Sequence, residues 1–413
     1  MKFRRFRDKL WEKNVPQLLF YIGLTIELVM VIIDKSNYIN PLEGRLFRLT
    51  FVLFLLKVLA TEYTFREIGV YLFLGVVSLI SYRVTGKNDV IRVVTFVAAC
   101  KGLSLKQMLR YAFYVTLAGC MVIVFLAVTG IYGAASLSMD YGREFDALNR
   151  IGVEETRYTL GMGHPNALSC MFLMLTALGI YVFSGWMKWY SYLFLMLLNA
   201  GLYLLTDSKT AMLCTSALLA GTFLVTYCGR LREKKFIYLC GGALFLCCLA
   251  FSVDAAANAP RVREAMWRQT YYGDPQFEYG QQDMEIDDHV VGLLWIDEHF
   301  NGRIISLTDS EDNDGSLETW SAFSAPAHMS YYFDMGWVKL FYRYGVIPGI
   351  LYCMACLLLL WRFYQKRDAF GLVIFVVLAV YTIMEAHLFS IYIGRNFLLM
   401  MMGAYMTKEE TKT

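Results

Sequence analysis

Long apolar runs recur about every 20–30 residues along the whole 413-residue chain, with no polar linker between them. A soluble chain of this length needs polar cover over two or three cores, whereas a surface that meets lipid needs none. Composition agrees: 57% of residues belong to the AVILMFWYC set, 18% are charged and the mean hydropathy is +0.46. An average soluble domain carries about 25% charged residues. The pattern is that of an all-α, polytopic integral membrane protein. It excludes a soluble enzyme, a disordered chain and a nucleic-acid binder.

A helix that crosses the hydrocarbon core needs about 20 mostly apolar residues. Twelve spans are predicted, near 16–33, 46–61, 68–82, 90–104, 110–131, 165–184, 189–206, 210–228, 236–253, 337–361, 369–386 and 389–406. They make residues 1–413 a single polytopic domain, with a large loop at 254–335 inserted between helices. The basic N-terminus is followed by an apolar run without a small-residue cleavage site, which reads as a retained first helix. Lys and Arg collect in short cytoplasmic loops. With twelve spans, Lys2 to Lys13, Lys101/Lys106/Arg110, Arg230/Arg232/Lys234/Lys235, Arg362/Lys366/Arg367 and Lys408/Lys412 all fall on one side. Both termini are therefore expected in the cytoplasm, and 132–164, 207–209 and 254–335 outside.

The net charge of +3 hides an asymmetry that follows this division. Residues 254–335 hold sixteen Asp or Glu against four Arg, while the rest of the chain holds 34 basic against 19 acidic residues. An inserted loop of this length implies function or a small subdomain, and its 259–270 stretch has a helical pattern. The acidic run ending at Asp314-Gly315 resembles a calcium loop, but Ser310 and Ser321 occupy its first and last ligand positions. It reads better as a solvated acidic face. The ten cysteines lie in apolar runs without metal-ligand company, so they read as small apolar filler, and no metal or cofactor is expected.

Three outward segments run into the N-terminus of a helix that returns to the membrane. They are Arg157-Tyr-Thr-Leu-Gly-Met-Gly-His164-Pro165-Asn166, Thr206-Asp207-Ser208-Lys209 and His328-Met-Ser-Tyr-Tyr-Phe-Asp334-Met-Gly-Trp337. Pro165 suits a first helical position, and Ser208 is a candidate cap. Free N–H groups and the partial positive charge of helix N-termini favour anions. Arg150, Arg157 and Lys209 add full charges, an arrangement suited to phosphate or pyrophosphate. Each residue also has a plain structural role open to it: Arg150 and Arg157 lie near Glu154 and Glu155, His164 starts a helix, and Lys209 suits an interfacial anchor. Within the spans, Glu27, Lys57, Arg92, Glu385 and Arg395 are expensive to bury, but Lys57 and Arg395 stand near enough to span ends to snorkel, which leaves Glu27, Arg92 and Glu385 to draw attention.

At these residues the chain resembles the bacterial O-antigen and capsule repeat-unit polymerase family (Wzy-like), in its Gram-positive exopolysaccharide form. Arg157-x-x-Leu-Gly-x-x-His-Pro-Asn166 resembles the family's outward loop before a middle helix. Thr206-Asp-Ser-Lys209 resembles its Thr-x-Ser-Arg segment, with Lys in place of Arg. Asn301-Gly302-Arg303 is similar to a Gly-Arg element of its large external loop. Asp334-Met-Gly-Trp337, followed by Arg343-Tyr-Gly345, resembles its Asp-x-x-aromatic stretch, and Glu385 and Asn396 resemble polar positions in its last helices. Arg150 stands eleven residues before Gly161, as in an Arg-x10-Gly pattern of the wider family. The large loop lacks the His-Asn pair in which the related ligases place His, since Met follows His328.

The resemblance implies a GT-C-like membrane fold and glycosyl transfer at the outer face of the bacterial cytoplasmic membrane. Donor and acceptor would be undecaprenyl-pyrophosphate-linked oligosaccharides, with membrane lipid and a chain-length regulator as further candidate partners. Arg157, Arg303 and Lys209 would stabilise the departing pyrophosphate, with Arg150, Asn166 and Ser208 lining the site. His164, Asp334 and Glu385 are the candidate bases. Tyr271, Tyr272, Trp295 and Trp320, with the loop's carboxylates, are candidates for binding sugar hydroxyls. The rival readings are an O-antigen ligase-type transferase, a lipid-linked oligosaccharide flippase, and a membrane sensor or scaffold.

Overall fold

The computed structural model describes residues 14–36, 38–146, 151–271, 287–300, 302–308, 314–324 and 334–406, including side chains except at 14, 140–153 and 269–271. In chain order the helices are α1 (Asn14–Lys35), α2 (Glu43–Leu59), α3 (Phe65–Thr85), α4 (Asp89–Ala99) and α5 (Leu105–Val128). After strands β1 (Ser136–Asp146) and β2 (Ile151–Tyr158) come α6 (Pro165–Phe183), α7 (Trp189–Thr206), α8 (Lys209–Tyr227) and α9 (Lys235–Tyr271). The last five are α10 (Asp288–His299), α11 (Gly336–Tyr344), α12 (Val346–Lys366), α13 (Ala369–Met384) and α14 (Leu398–Met406). Eight of these helices, α1, α3, α5 to α9 and α12, are long and apolar enough to cross a membrane, and α13 is a shorter apolar helix. The protein is predominantly helical and membrane-embedded.

Polar contacts sort the helix ends into two sets. At one end Lys57 Nζ donates to the Lys101 carbonyl, Lys101 Nζ reaches Glu67, and Arg367 donates to the Glu233 carbonyl. Tyr181 and Tyr405 both donate to Asp368 at that end. At the other end Arg157 meets Asp207, Arg395 pairs with Asp34, and Arg303 meets Asp334 and Glu385. Between them lies a continuous apolar core reaching from Phe20 on α1 to Met402 on α14.

Four features depart from a simple reading of the apolar runs. The run at 389–406 is helical only from Leu398, and residues 385–397 form an irregular segment with a short 3-10 turn at Ile393–Arg395. Ala386, Leu388 and Phe389 of this segment are buried, so this part of its irregular backbone is shielded by protein. The run at 337–361 is divided at Gly345, whose φ of +91° breaks α11 from α12. A Cβ there would meet Phe323 Cα at 2.5 Å, because the backbone of 321–324 crosses this point. Ser321 and Ala322 carbonyls accept from Val346 and Ile347 N–H, satisfying donors that the break leaves without helical partners.

The other two departures concern the outward segments. The fold is not purely α: β1 and β2 form an antiparallel hairpin with Ser138 opposite Thr156 and Leu137 opposite Arg157, and a register shift between Asp140 and Phe145. The α9 helix continues beyond its expected end at 253 through Pro260 to Tyr271, in line with the helical pattern at 259–270. Its small residues, Ala255, Ala256, Ala259 and Ala265, allow close packing with Val290, Leu293, Ile304, Leu307, Met335 and Val338. This second core, separate from that of the bundle, carries the segment that contains Arg303.

Replacing Gly345 with alanine forces a Cβ into the 322–324 backbone at a positive φ, and is expected to cost more than about 1 kcal/mol. Thermal unfolding of the detergent-purified variant should show a lower midpoint, with faster proteolysis at 314–324. An unchanged midpoint and cleavage pattern would contradict this packing.

Candidate functional site

Arg303 lies just after a turn built by Asp297. The Asp297 carboxylate is fully buried and accepts from Ile304 N–H at 2.5 Å and Ile305 N–H at 3.3 Å. Gly302, at φ +68°, donates its N–H to the Asp297 carbonyl. These bonds hold the short 3-10 helix Ile305–Thr308 against α9, so Arg303 projects from a fixed backbone rather than a free loop.

The Arg303 guanidinium is ion-paired with Asp334 and lies 3.4 Å from Glu385 Oε1. Glu385 follows α13 directly, and the same oxygen accepts from Asn166 Nδ2 at 3.3 Å. Gly336 brings Asp334 close to this point: a Cβ at 336 would meet the carbonyl oxygens of Thr382 and Glu385 at 2.8 and 2.9 Å. Four segments distant in sequence, around 166, 303, 334 and 385, therefore converge. Burial raises the pKa of Glu385, against the opposing influence of Arg303, Lys35 and Asn166.

His164 caps α6, its Nδ1 accepting from Asn166 N–H at 3.2 Å, with Pro165 at the first helical position. That bond requires an unprotonated Nδ1, so neutral His164 carries its proton on Nε2. Desolvation lowers its pKa, followed by the charges of Arg303, Arg157 and Lys35. His164 is thus already engaged as a cap through one nitrogen and is a weaker base candidate than the carboxylates.

A second guanidinium is arranged in the same way. Arg157 Nε donates to Glu155 at 2.8 Å, and its Nη2 lies 3.6 Å from Asp207. Asp207 ends α7 in the left-handed region at φ +48°, a conformation Asp tolerates better than most residues. Leu160, at φ +46°, turns the chain from the hairpin toward His164. Next to it Gly161 fits against α5, where a Cβ would meet Ala127 and Ile123 at 2.8 and 2.9 Å. Backbone conformations of this kind persist only where the surroundings impose them.

The remaining expectations fare unevenly. Ser208 occupies the first position before α8 but makes no capping bond with its side chain, and its N–H donates to Thr206 Oγ1. Lys209 begins α8 and is exposed. Asn396 donates to Tyr352 Oη at 2.9 Å and lies within the irregular segment. Trp320 is stacked on Phe341 and donates to the Gly315 carbonyl, a packing role rather than a free sugar platform, whereas Trp295 is exposed beside His299. Arg150, His328, Tyr272 and the acidic residues 309–313 lie outside the described residues, as does the Tyr271 side chain.

Sequence reasoning missed two contributors. Lys35, at the end of α1, belongs to none of the motifs but adds its charge at both His164 and Glu385. Asp207 stands inside a quoted motif, yet nothing local marks it as a partner for Arg157. No protein-family model, curated protein or solved structure matches the chain.

The His164 shift has a defined pH consequence. A lowered folded-state pKa means that the unfolded chain binds a proton first as pH falls below 6.5, the ordinary value. Stability from neutral His164 is full above 6.5 and declines toward the lowered value. Thermal midpoints measured from pH 7.5 to 5 should fall for the wild type. His164→Asn keeps a capping side chain and should flatten that part of the curve; an identical slope in the variant would contradict the assignment.

Proposed function

We propose that the protein is a polysaccharide polymerase that joins undecaprenyl-pyrophosphate-linked oligosaccharide repeat units at the outer face of a bacterial cytoplasmic membrane. The observation that carries this reading is the convergence of Arg303, Asp334, Glu385 and Asn166 at one end of the bundle. These are among the residues on which the family resemblance rests, and they come together from four separate segments. We count twelve membrane segments by adding α2, α4, α13 and α14 to the eight long helices, with both termini in the cytoplasm.

The chemistry follows from the pairing. Each guanidinium is shared by two carboxylates, so neither arginine is a bare anion site. In the proposed reaction Glu385 accepts the proton of the acceptor hydroxyl as that oxygen attacks the anomeric carbon of the donor. The bond from that carbon to the pyrophosphate oxygen breaks, and the electron pair leaves with the pyrophosphate. Protonation of Glu385 weakens its hold on Arg303 at the moment when negative charge grows on the leaving group. Base and anion stabiliser are thereby coupled. Asp334 keeps the guanidinium oriented, Arg157 and the N-terminus of α6 add positive potential, and Lys209 guides the anion from the exposed rim.

A transporter reading draws support from one observation: the irregular 385–397 segment resembles the broken helices of transporters. Reconstitution with a lipid-linked repeat unit separates the possibilities. A polymerase yields a ladder of longer glycans. Transfer only to a different acceptor favours a ligase, and translocation without elongation favours a flippase.

In that assay Arg303→Ala and Glu385→Gln should each abolish the ladder without loss of expression, and Lys209→Ala should have a smaller effect. Because burial raises the Glu385 pKa above the ordinary 4.5, activity should fall with acidification at a higher pH than an ordinary glutamate would give. Normal ladders from Glu385→Gln would remove it from the mechanism. Reporter fusions at residues 13 and 407 should both read cytoplasmic; opposite sides would contradict the twelve-segment count.

A further inference from the structure

The reaction proposed above leaves unused the most deeply buried charges in the bundle. Glu27 on α1 and Arg92 on α4 are 0% and 1% exposed and form an ion pair at 2.8 Å. Thr50 on α2 donates to the same Glu27 oxygen at 2.5 Å, and the Arg92 guanidinium lies 3.8 Å from the centre of the Phe47 ring. Isolated charges at such depth are costly, and replacing a buried pair with apolar residues is often neutral or stabilising. Stability alone is therefore a poor reason for this pair.

Its second contact suggests another role. Arg92 Nη1 donates to the Ile391 carbonyl at 2.9 Å, a bond spanning 299 residues to the middle of the irregular 385–397 segment. That segment has given up helical hydrogen bonds where it packs against the bundle, so its shielded carbonyls need other donors. Arg92 supplies one, and Asn396 supplies another to Leu388. Further contacts converge on the same stretch. Gly394 packs so closely on α1 that a Cβ would meet the Glu27 carbonyl oxygen at 3.0 Å. Tyr392 packs edge-on against Phe47 at 5.5 Å, and Arg395 is ion-paired with Asp34. The segment is thus attached to α1, α2 and α4 over five residues, and Glu385 stands at its start.

We propose that Arg92, oriented by Glu27 and Thr50, is a positioning residue that fixes the irregular 385–397 segment and through it the Glu385 carboxylate. The pair is retained because a guanidinium can serve a carboxylate on one side and a backbone carbonyl on the other, which no apolar pair can do. The consequence for Glu385 catalysis rests on the polymerase reading, whereas the attachment of the segment does not.

The test uses the full chain in lipid nanodiscs. The double variant Glu27→Met/Arg92→Met leaves no unpaired buried charge, and Arg92→Lys keeps a cation opposite Glu27 without the two-sided fork. Hydrogen–deuterium exchange of 385–397 should accelerate about ten-fold or more in both, a local opening without global unfolding. The thermal midpoint of the double variant should stay near wild type. In the ladder assay, kcat should fall and KM change little. If 385–397 exchanges at the wild-type rate in a folded variant, the positioning role is overturned. If the double variant does not fold, exchange in Arg92→Lys decides alone: acceleration confined to 385–397 supports the role, and wild-type exchange overturns it. If wild type makes no ladder but exchange responds as described, the polymerase reading fails while the attachment stands.

Discussion

The Arg303 guanidinium joins two parts of the molecule that have separate cores. On one side is the α9–α10 assembly, whose core contains Ile304 and Leu307. On the other is the helical bundle, to which Glu385 and Asn166 belong. Arg303 meets Asp334 and Glu385, and Asn166 meets Glu385, so a short chain of polar contacts ties both parts together. The ion pair is partly shielded, with both Arg303 and Asp334 side chains 20% exposed. Such a pair is neither a fully screened surface contact nor a sealed interior one.

The same theme runs through the rest of the site. Cations and carboxylates are brought together by backbone features that only certain residues allow: the close approach at Gly336, the left-handed Asp207, and the buried Asp297 that anchors the Arg303 turn. None of these residues needs to touch a substrate to matter. They set where the charged groups stand, and the charged groups set the chemistry.

Much of this was legible in the sequence, and the failures have physical reasons. The long helices follow from the length of the apolar runs, which hydropathy reads directly. The break at Gly345 is hidden because the cause is a distant backbone, 321–324, crossing the helix axis. The irregular 385–397 segment is as apolar as a helix. Two of its carbonyls, Ile391 and Leu388, accept from the Arg92 and Asn396 side chains, and hydropathy cannot tell which partner a carbonyl has. The β-hairpin escapes because its strands bear charges and glycines and lack a regular apolar alternation. Arg303, Asp334, Glu385 and Asn166 were each visible as candidates through motif order, but their pairing spans up to 219 residues and no local pattern encodes it. Glu27 and Arg92 were visible as expensive charges, and only the fold reveals that they serve one another and Ile391.

In the proposed reaction Arg303 and its carboxylate partners receive a lipid-linked diphosphate. The most direct measurement is an electron cryo-microscopy structure of the full chain in nanodiscs with a non-transferable analogue of the lipid-diphosphate glycan. The diphosphate is expected within hydrogen-bond reach of the Arg303 guanidinium, with the first sugar beside Glu385. A diphosphate bound instead at the opposite end of the bundle, beside Lys57 and Lys101, would contradict it.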